Sequence, residues 1–259
     1  MNSLSFSPKP VLTRQGGITI VRDDLLPGGT KQRACGSFLE DMMRLGKRHF
    51  IYASPFAGFA QVALAYVSQM LDVRCTLFCE RDQRFEDDRL HPFSLLAQSY
   101  GASVILVESL EKAQEKTFAL SRTDSQSMQI PLGFDCPEFR IHLEKRISES
   151  VAQIEDEVGH LDTIWMPIGS GTLMRSFLNA LPERIKFKCV NVRILEASDV
   201  RIETIRNNPR VQYFEAPMTF HTEAQDLPSI PSNIFYDAKL WAFIKKDAQL
   251  GDLWWNVAQ

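Results

Sequence analysis

Thr163-Ile164-Trp165-Met166-Pro167-Ile168-Gly169-Ser170-Gly171-Thr172 reads as a buried strand that runs straight into a tight turn, and Leu173 to Leu181 continues the chain as a helix. A short apolar run closed by glycines is the pattern of a strand covered on both faces. A strand that ends in a turn and a helix is half of a parallel βαβ unit. Working outward, the same alternation recurs upstream. Phe50 to Ala53, Cys75 to Cys79 and Ser103 to Val107 read as strands, and Ala60 to Leu71, Phe93 to Tyr100 and Leu110 to Leu120 as helices. This block, roughly 48 to 122, predicts a small open parallel sheet. Ser121 to Gln129 is polar and reads as a crossover, and Pro137 to Glu157 as a long charged helix. Downstream, Lys188 to Leu195 predicts a strand, Pro217 to Pro231 a loop, Tyr236 to Lys246 a helix and Leu253 to Val257 a terminal strand.

Composition narrows the function classes. The chain has 259 residues and a formal net charge of −3, which gives no basic field to attract nucleic acid. No apolar run approaches the roughly 18 to 20 residues of a membrane span. The first ten residues lack a signal-peptide core, so a cytoplasmic protein is expected. Five cysteines at scattered spacing argue against a disulfide framework. Cys75 and Cys79 share one face of a strand but lie roughly 13 Å apart, too far to share a metal ion. The five histidines show no HxxxH or HxH spacing, and no metal site is expected.

Two turns carry chemistry. In Asp23-Asp24-Leu25-Leu26-Pro27-Gly28-Gly29-Thr30-Lys31-Gln32-Arg33, one lysine stands between a Pro-Gly-Gly-Thr turn and an apolar helical pattern. Backbone N–H groups collect at a helix start, and positive potential there lowers an amine pKa. A partly neutral amine is a nucleophile for an aldehyde, as a Schiff base requires. The motif is not a P-loop, because Thr30 stands where glycine must precede the lysine. The second turn is Gly169-Ser170-Gly171-Thr172, whose glycines, hydroxyls and helix start suit an anion. Met174 stands in place of the third glycine of a dinucleotide fingerprint, so a compact phosphate monoester fits better than a pyrophosphate. Taken alone, this turn is equally an ordinary β–α connection. A Schiff-base lysine and a phosphate cup in one α/β chain together describe pyridoxal 5′-phosphate chemistry.

Here the sequence resembles the fold-type II pyridoxal phosphate enzymes, the tryptophan synthase β-like superfamily. Within it, the pattern is nearest to the group of 1-aminocyclopropane-1-carboxylate deaminase and D-cysteine desulfhydrase. The resemblance rests on Arg22-Asp23-Asp24 with Gly28-Gly29-Thr30-Lys31-Gln32-Arg33, on Tyr52 to Leu71, on Ile130-Pro131-Leu132-Gly133, on Gly169 to Thr172 and on Tyr236-Asp237-Ala238-Lys239. It implies an α/β fold of two open, mostly parallel sheets flanked by helices, with the active site between the domains. The larger cofactor domain would take 1–47 and 123–259, and the smaller domain 48–122. It also implies that Lys31 holds the cofactor and that Gly169, Ser170, Gly171 and Thr172 hold its phosphate. The implied activity is a lyase or deaminase acting on an amino acid, in a homodimer.

Departures from the family pattern leave the reaction open. The loop Ser54-Pro55-Phe56-Ala57-Gly58-Phe59-Ala60-Gln61 lacks the family's asparagine, which contacts the cofactor's ring hydroxyl. Ser54 and Gln61 are the polar candidates that remain, Ser54 for proton transfer and Gln61 for the cofactor. Asn256-Val257-Ala258-Gln259 replaces the family's terminal glycine-rich segment, which leaves the pyridine nitrogen without an assigned partner. Tyr236 is a further catalytic candidate, and equally a packing tyrosine. Two other readings stay beside deamination. One is a decarboxylation, replacement or racemisation on an amino acid, which could be attached to a modified nucleotide or DNA base. The other is a catalytically silent cofactor-binding protein.

Overall fold

The computed structural model describes residues 6–84 and 89–259. In chain order, β1 (Leu12–Gln15) and β2 (Ile18–Arg22) precede α1 (Gly29–Arg44), β3 (His49–Ser54), α2 (Ala60–Met70), β4 (Arg74–Glu80) and α3 (Pro92–Ser99). Then come β5 (Ser103–Val107), α4 (Leu110–Ser121), β6 (Ser127–Ile130), α5 (Pro137–Val158), β7 (Thr163–Ile168) and α6 (Thr172–Ala180). The chain closes with β8 (Lys186–Asn191), α7 (Val200–Arg206), β9 (Val211–Glu215), α8 (Trp241–Asp247) and β10 (Leu253–Asn256). Two compact units result. Among the described residues, one holds Phe6 and those within Lys31–His142, and the other Ser7–Thr30 and Leu143–Gln259. This is the expected α/β class with two mainly parallel sheets.

The second unit is built on a six-stranded sheet in the order β1-β2-β10-β7-β8-β9. Only β1 runs antiparallel, as a hairpin arm joined to β2 through Gly16 and Gly17 at φ 60° and 86°. Glycine is the residue that adopts such a turn without Cβ strain. Every other neighbouring pair in this sheet is parallel, so the ends of β2, β10, β7, β8 and β9 share one edge. One face of the sheet buries Ile18, Ile20, Trp165, Val190 and Trp254 against Leu240 and Ile244. β8 stops at Asn191 rather than at Leu195, because the Asn191 side chain accepts the Arg193 N–H and Arg193 turns to φ 64°.

The first unit carries a four-stranded parallel sheet in the order β5-β4-β3-β6. Ser127 to Gln129, which read as part of a crossover, pair with β3 as an edge strand. Cys75 and Cys79 are buried on β4, and burial pushes both thiols up to about 12, so they pack as small hydrophobes. A chain of edge-to-face rings, Tyr52–Phe134–Phe139–Phe38, ties β3 to α1 and to the start of α5.

His49 stitches three strands of this sheet. Its Nδ1 lies 3.0 Å from Ser127 Oγ on β6 and its Nε2 2.8 Å from Thr76 Oγ1 on β4. Burial, with Arg74 nearby, lowers its pKa below the ordinary value. The folded state therefore holds this proton more weakly than the unfolded chain. The stabilisation is complete above the unfolded value of about 6.5 and is lost as pH falls through the depressed folded value. The urea midpoint is expected to drop from pH 7 to pH 5, and His49→Gln to flatten that part of the profile. An identical profile in the variant would remove His49 from the account.

Candidate active site

Three adjacent strands, β2, β10 and β7, deliver the informative residues to one edge of the six-stranded sheet. The register pairs Asn256 with Arg22 and Trp254 with both Ile20 and Trp165. The turns that follow β2 and β7 are therefore one strand apart, about 10 Å.

After β2 the chain makes a short 3-10 turn, Asp23–Leu25. Asp24 is buried and forms a two-pronged ion pair with Arg22 at 2.9 and 2.8 Å. Asp23 is buried as well and accepts the Trp255 indole N–H at 3.0 Å. The same indole N–H reaches Thr30 Oγ1 at 3.0 Å, and the Thr30 backbone N–H donates to the Val257 carbonyl at 3.1 Å. Thr30 is thus fixed to the end of β10 by backbone and side chain, and Lys31 is the next residue. Gly29, at φ 62°, permits the turn that starts α1. Lys31 is partly exposed in the first turn of this helix.

After β7 comes the Gly169 to Thr172 turn. Gly171 has φ 79° and occupies the N-cap of α6. A Cβ there would lie 3.2 Å from Ile205 and 3.5 Å from the Arg201 Cβ, so α7 closes over the turn. At Gly169 a Cβ would lie 2.7 Å from the Tyr236 ring and 2.8 Å from Ile194. Ser170 Oγ and Thr172 Oγ1 sit 3.2 Å apart, on the same side of the turn. One helical turn further, Ser176 Oγ is buried with no hydrogen-bond partner among the described residues. Tyr236, singled out from the sequence, is brought to this turn. Burial pushes its phenol above the ordinary range, and hydrogen bonding with the Gly169 backbone opposes that.

The sequence reading missed Asp237, Asn256 and Asn233, which surround the end of β10. Asp237 is fully buried and accepts the Val257 N–H at 2.7 Å and the Ala258 N–H at 3.1 Å. Among the described residues no side-chain cation pairs with it. Burial, reinforced by the Asp24 charge, holds its carboxyl well above the usual range. Asn256 donates to the Pro231 carbonyl at 2.8 Å, while its Oδ1 is buried and has no hydrogen-bond partner among the described residues. Asn233 accepts the Phe235 N–H, while its Nδ2 is buried and has no hydrogen-bond partner among the described residues. The one available signal was the adjacency of Asp237 to Tyr236; Asn256 was visible only as a departure from a terminal motif.

Ser54 and Gln61 lie together in the other unit, at the β3–α2 loop. Ser54 Oγ donates to the Pro55 carbonyl at 3.0 Å. Gln61 donates to the Gly58 carbonyl at 2.9 Å and accepts from Cys79 Sγ at 3.1 Å and Ser94 Oγ at 3.0 Å. Its amide is therefore engaged in joining α2 to β4 and α3. The phenylalanines of this loop turn inward. Phe56 packs edge-on to His91, Phe59 packs edge-on to Phe93, and the Arg84 guanidinium lies 5.3 Å from the Phe56 ring.

No protein-family profile matches the chain, and no curated protein matches it in sequence. Solved structures do match its fold. A homologue of ACC deaminase superposes with a TM-score of 0.78 at 16% identity, over 98% of this chain and 90% of that one. A hydrogen sulfide-producing enzyme from Fusobacterium nucleatum gives 0.70 at 15% identity, over 100% and 98%. Threonine deaminase isoform 2 from Solanum lycopersicum gives 0.69 at 14% identity, over 98% and 84%. The chain shares the fold of these three structures.

Proposed function

We propose that the protein is a pyridoxal 5′-phosphate-dependent lyase or deaminase acting on an amino acid. The observation that carries this reading is the β7–α6 turn. It combines a left-handed Gly171, a Gly169 whose Cβ would meet Tyr236 and Ile194, two hydroxyls and a helix N-terminus at the open edge of a parallel sheet. Among the described residues Ser176 Oγ, Asn256 Oδ1 and Asn233 Nδ2 are buried without a hydrogen-bond partner and the Asp237 carboxyl has no cation, which fits a bound polar ring with a phosphate. Threonine deaminase and ACC deaminase homologue structures share the fold, which supports the reaction class.

In this reading Lys31 supplies the amine that takes the cofactor's aldehyde, and Thr30, fixed to Val257 and Trp255, holds the backbone from which that amine extends. Gly169 to Thr172 hold the phosphate by backbone N–H groups and hydroxyls. Tyr236 closes the turn from the side of Gly169. Asp237 would be the acidic group offered to the ring nitrogen, since a buried carboxyl with no cation gains most from such a partner. Once bound, the cofactor supplies a ring that absorbs the electron pair left when a C–H bond beside the amino group breaks. The released Lys31 amine moves that proton at the α or β carbon of the substrate. Ser54, on the β3–α2 loop, is the proposed second proton-handling group. Gln61 supports that loop. We further propose a cytoplasmic homodimer.

The experiment is a screen of D- and L-amino acids with the cofactor-loaded protein, reading ammonia and oxo-acid release. Release from at least one is expected; none from any would sink the deaminase reading. Gly169→Ala tests the cup separately. Its methyl group would meet Tyr236 and Ile194, so cofactor affinity is expected to fall at least about tenfold, with overpacking costing about 1–3 kcal/mol. Titration by visible absorbance measures the affinity, and unchanged affinity would remove the turn from the site.

A further inference from the structure

We propose that the cavity between the 217–226 segment and α8 is a second binding site, for a short aliphatic carboxylate held by the Lys239 ammonium. The cavity has a volume of about 330 Å³, within the range of small-molecule sites. Its wall is mainly apolar: Met218 and Phe243 offer large surfaces, and Ala224, Ala238 and Ala242 leave the space that longer side chains would fill. One side of the 238–246 helical stretch and one loop form it, all inside the second unit.

Lys239 gives this apolar cavity its ligand class. The residue is 4% exposed. Its Nζ donates to the Thr219 carbonyl at 2.8 Å, lies 3.4 Å from the Phe220 carbonyl and sits over the Phe220 ring at 5.7 Å from its centre. No carboxylate pairs with it among the described residues. Buried ammonium groups ordinarily carry a counter-charge, because desolvation is costly without one. Burial, with Arg193 adding like charge, brings the Lys239 pKa down to about 8. The other charges of the wall do not supply one. Asp226 is already paired with Lys245, and Lys246 adds a further positive charge. A carboxylate with a chain of a few carbons satisfies both halves of the site: its head neutralises Lys239, and its tail covers Met218, Ala242 and Phe243. The site does not depend on the cofactor reading.

Calorimetric titration of the full chain with isovalerate and hexanoate, against isovaleramide as the uncharged control, tests the assignment. Saturable one-to-one binding of a carboxylate is expected, with the amide at least about tenfold weaker. Ala242→Trp fills the cavity from an exposed position and should abolish binding at unchanged melting temperature. Lys239→Met should weaken it at least about tenfold. Lys31→Ala should leave it intact, which separates this site from the cofactor site. No saturation by either carboxylate, equal binding of the amide, or undiminished binding to the Ala242→Trp protein would each overturn the proposal.

Discussion

Lys31→Ala protein will stay colourless when mixed with pyridoxal 5′-phosphate and will release no ammonia from any amino acid that the parent protein deaminates. The expected loss of activity is at least about a thousandfold, because on the proposed reading one amine would serve as both the covalent anchor and the proton carrier. Lys31→Arg should behave the same way, since a guanidinium stays protonated and cannot act as the nucleophile. Folding should be spared. Lys31 is partly exposed on the first turn of α1, and the groups that fix this turn belong to Thr30, Asp23 and Trp255. A melting temperature near that of the parent, combined with lost colour, separates chemistry from stability. Retained colour with retained activity would show that another group holds the cofactor.

Trp255→Ala will be the most damaging single change to the second unit. The side chain is fully buried, packs edge-on against Phe177 at 4.8 Å, and bridges Asp23 and Thr30 through one N–H. Removing the ring leaves a cavity worth about 3–5 kcal/mol and strips the buried Asp23 carboxylate of a donor, adding about 1–3 kcal/mol. Trp255→Phe keeps most of the volume and loses the N–H alone, so it should cost mainly the smaller part. It should nevertheless weaken cofactor binding, because Thr30 loses one of its anchors next to Lys31. Urea unfolding with a parallel cofactor titration reads both effects. A Trp255→Phe protein with parent affinity for the cofactor would show that the indole N–H serves packing alone.

Lys31 and the Gly169 to Thr172 turn were legible in the sequence because each is local. A turn, its glycines and the following helix occupy one short window, and the apolar strand before Gly169 has no competing reading. The helices α2, α4 and α5 were legible for the same reason. Other elements depended on distant partners. β2 matters because β10 pairs with it from the far end of the chain, and its hairpin signal, Gly16-Gly17 between Leu12–Gln15 and Ile18–Arg22, went unread. β6 is a strand only because β3 accepts it as a neighbour. Asp237 fell inside the segment Tyr236 to Lys246, which reads as a helix. Its burial is set by the Val257 and Ala258 amides, which no window around Asp237 contains. Phe56 and Phe59 lie in the loop that lacks the family's asparagine. Their packing on His91 and Phe93 follows from where α3 begins, not from the loop itself.

The claim that Lys31 carries the cofactor is tested most directly by reducing the cofactor-treated protein with borohydride and mapping the modified lysine by peptide mass spectrometry. The account predicts one stoichiometric pyridoxyl-phosphate adduct on Lys31, absent from Lys31→Ala protein. Lys239, whose amine titrates at about 8, is the natural competitor for adventitious aldehyde. An adduct there, or on scattered surface lysines, with Lys31 unmodified would contradict the account.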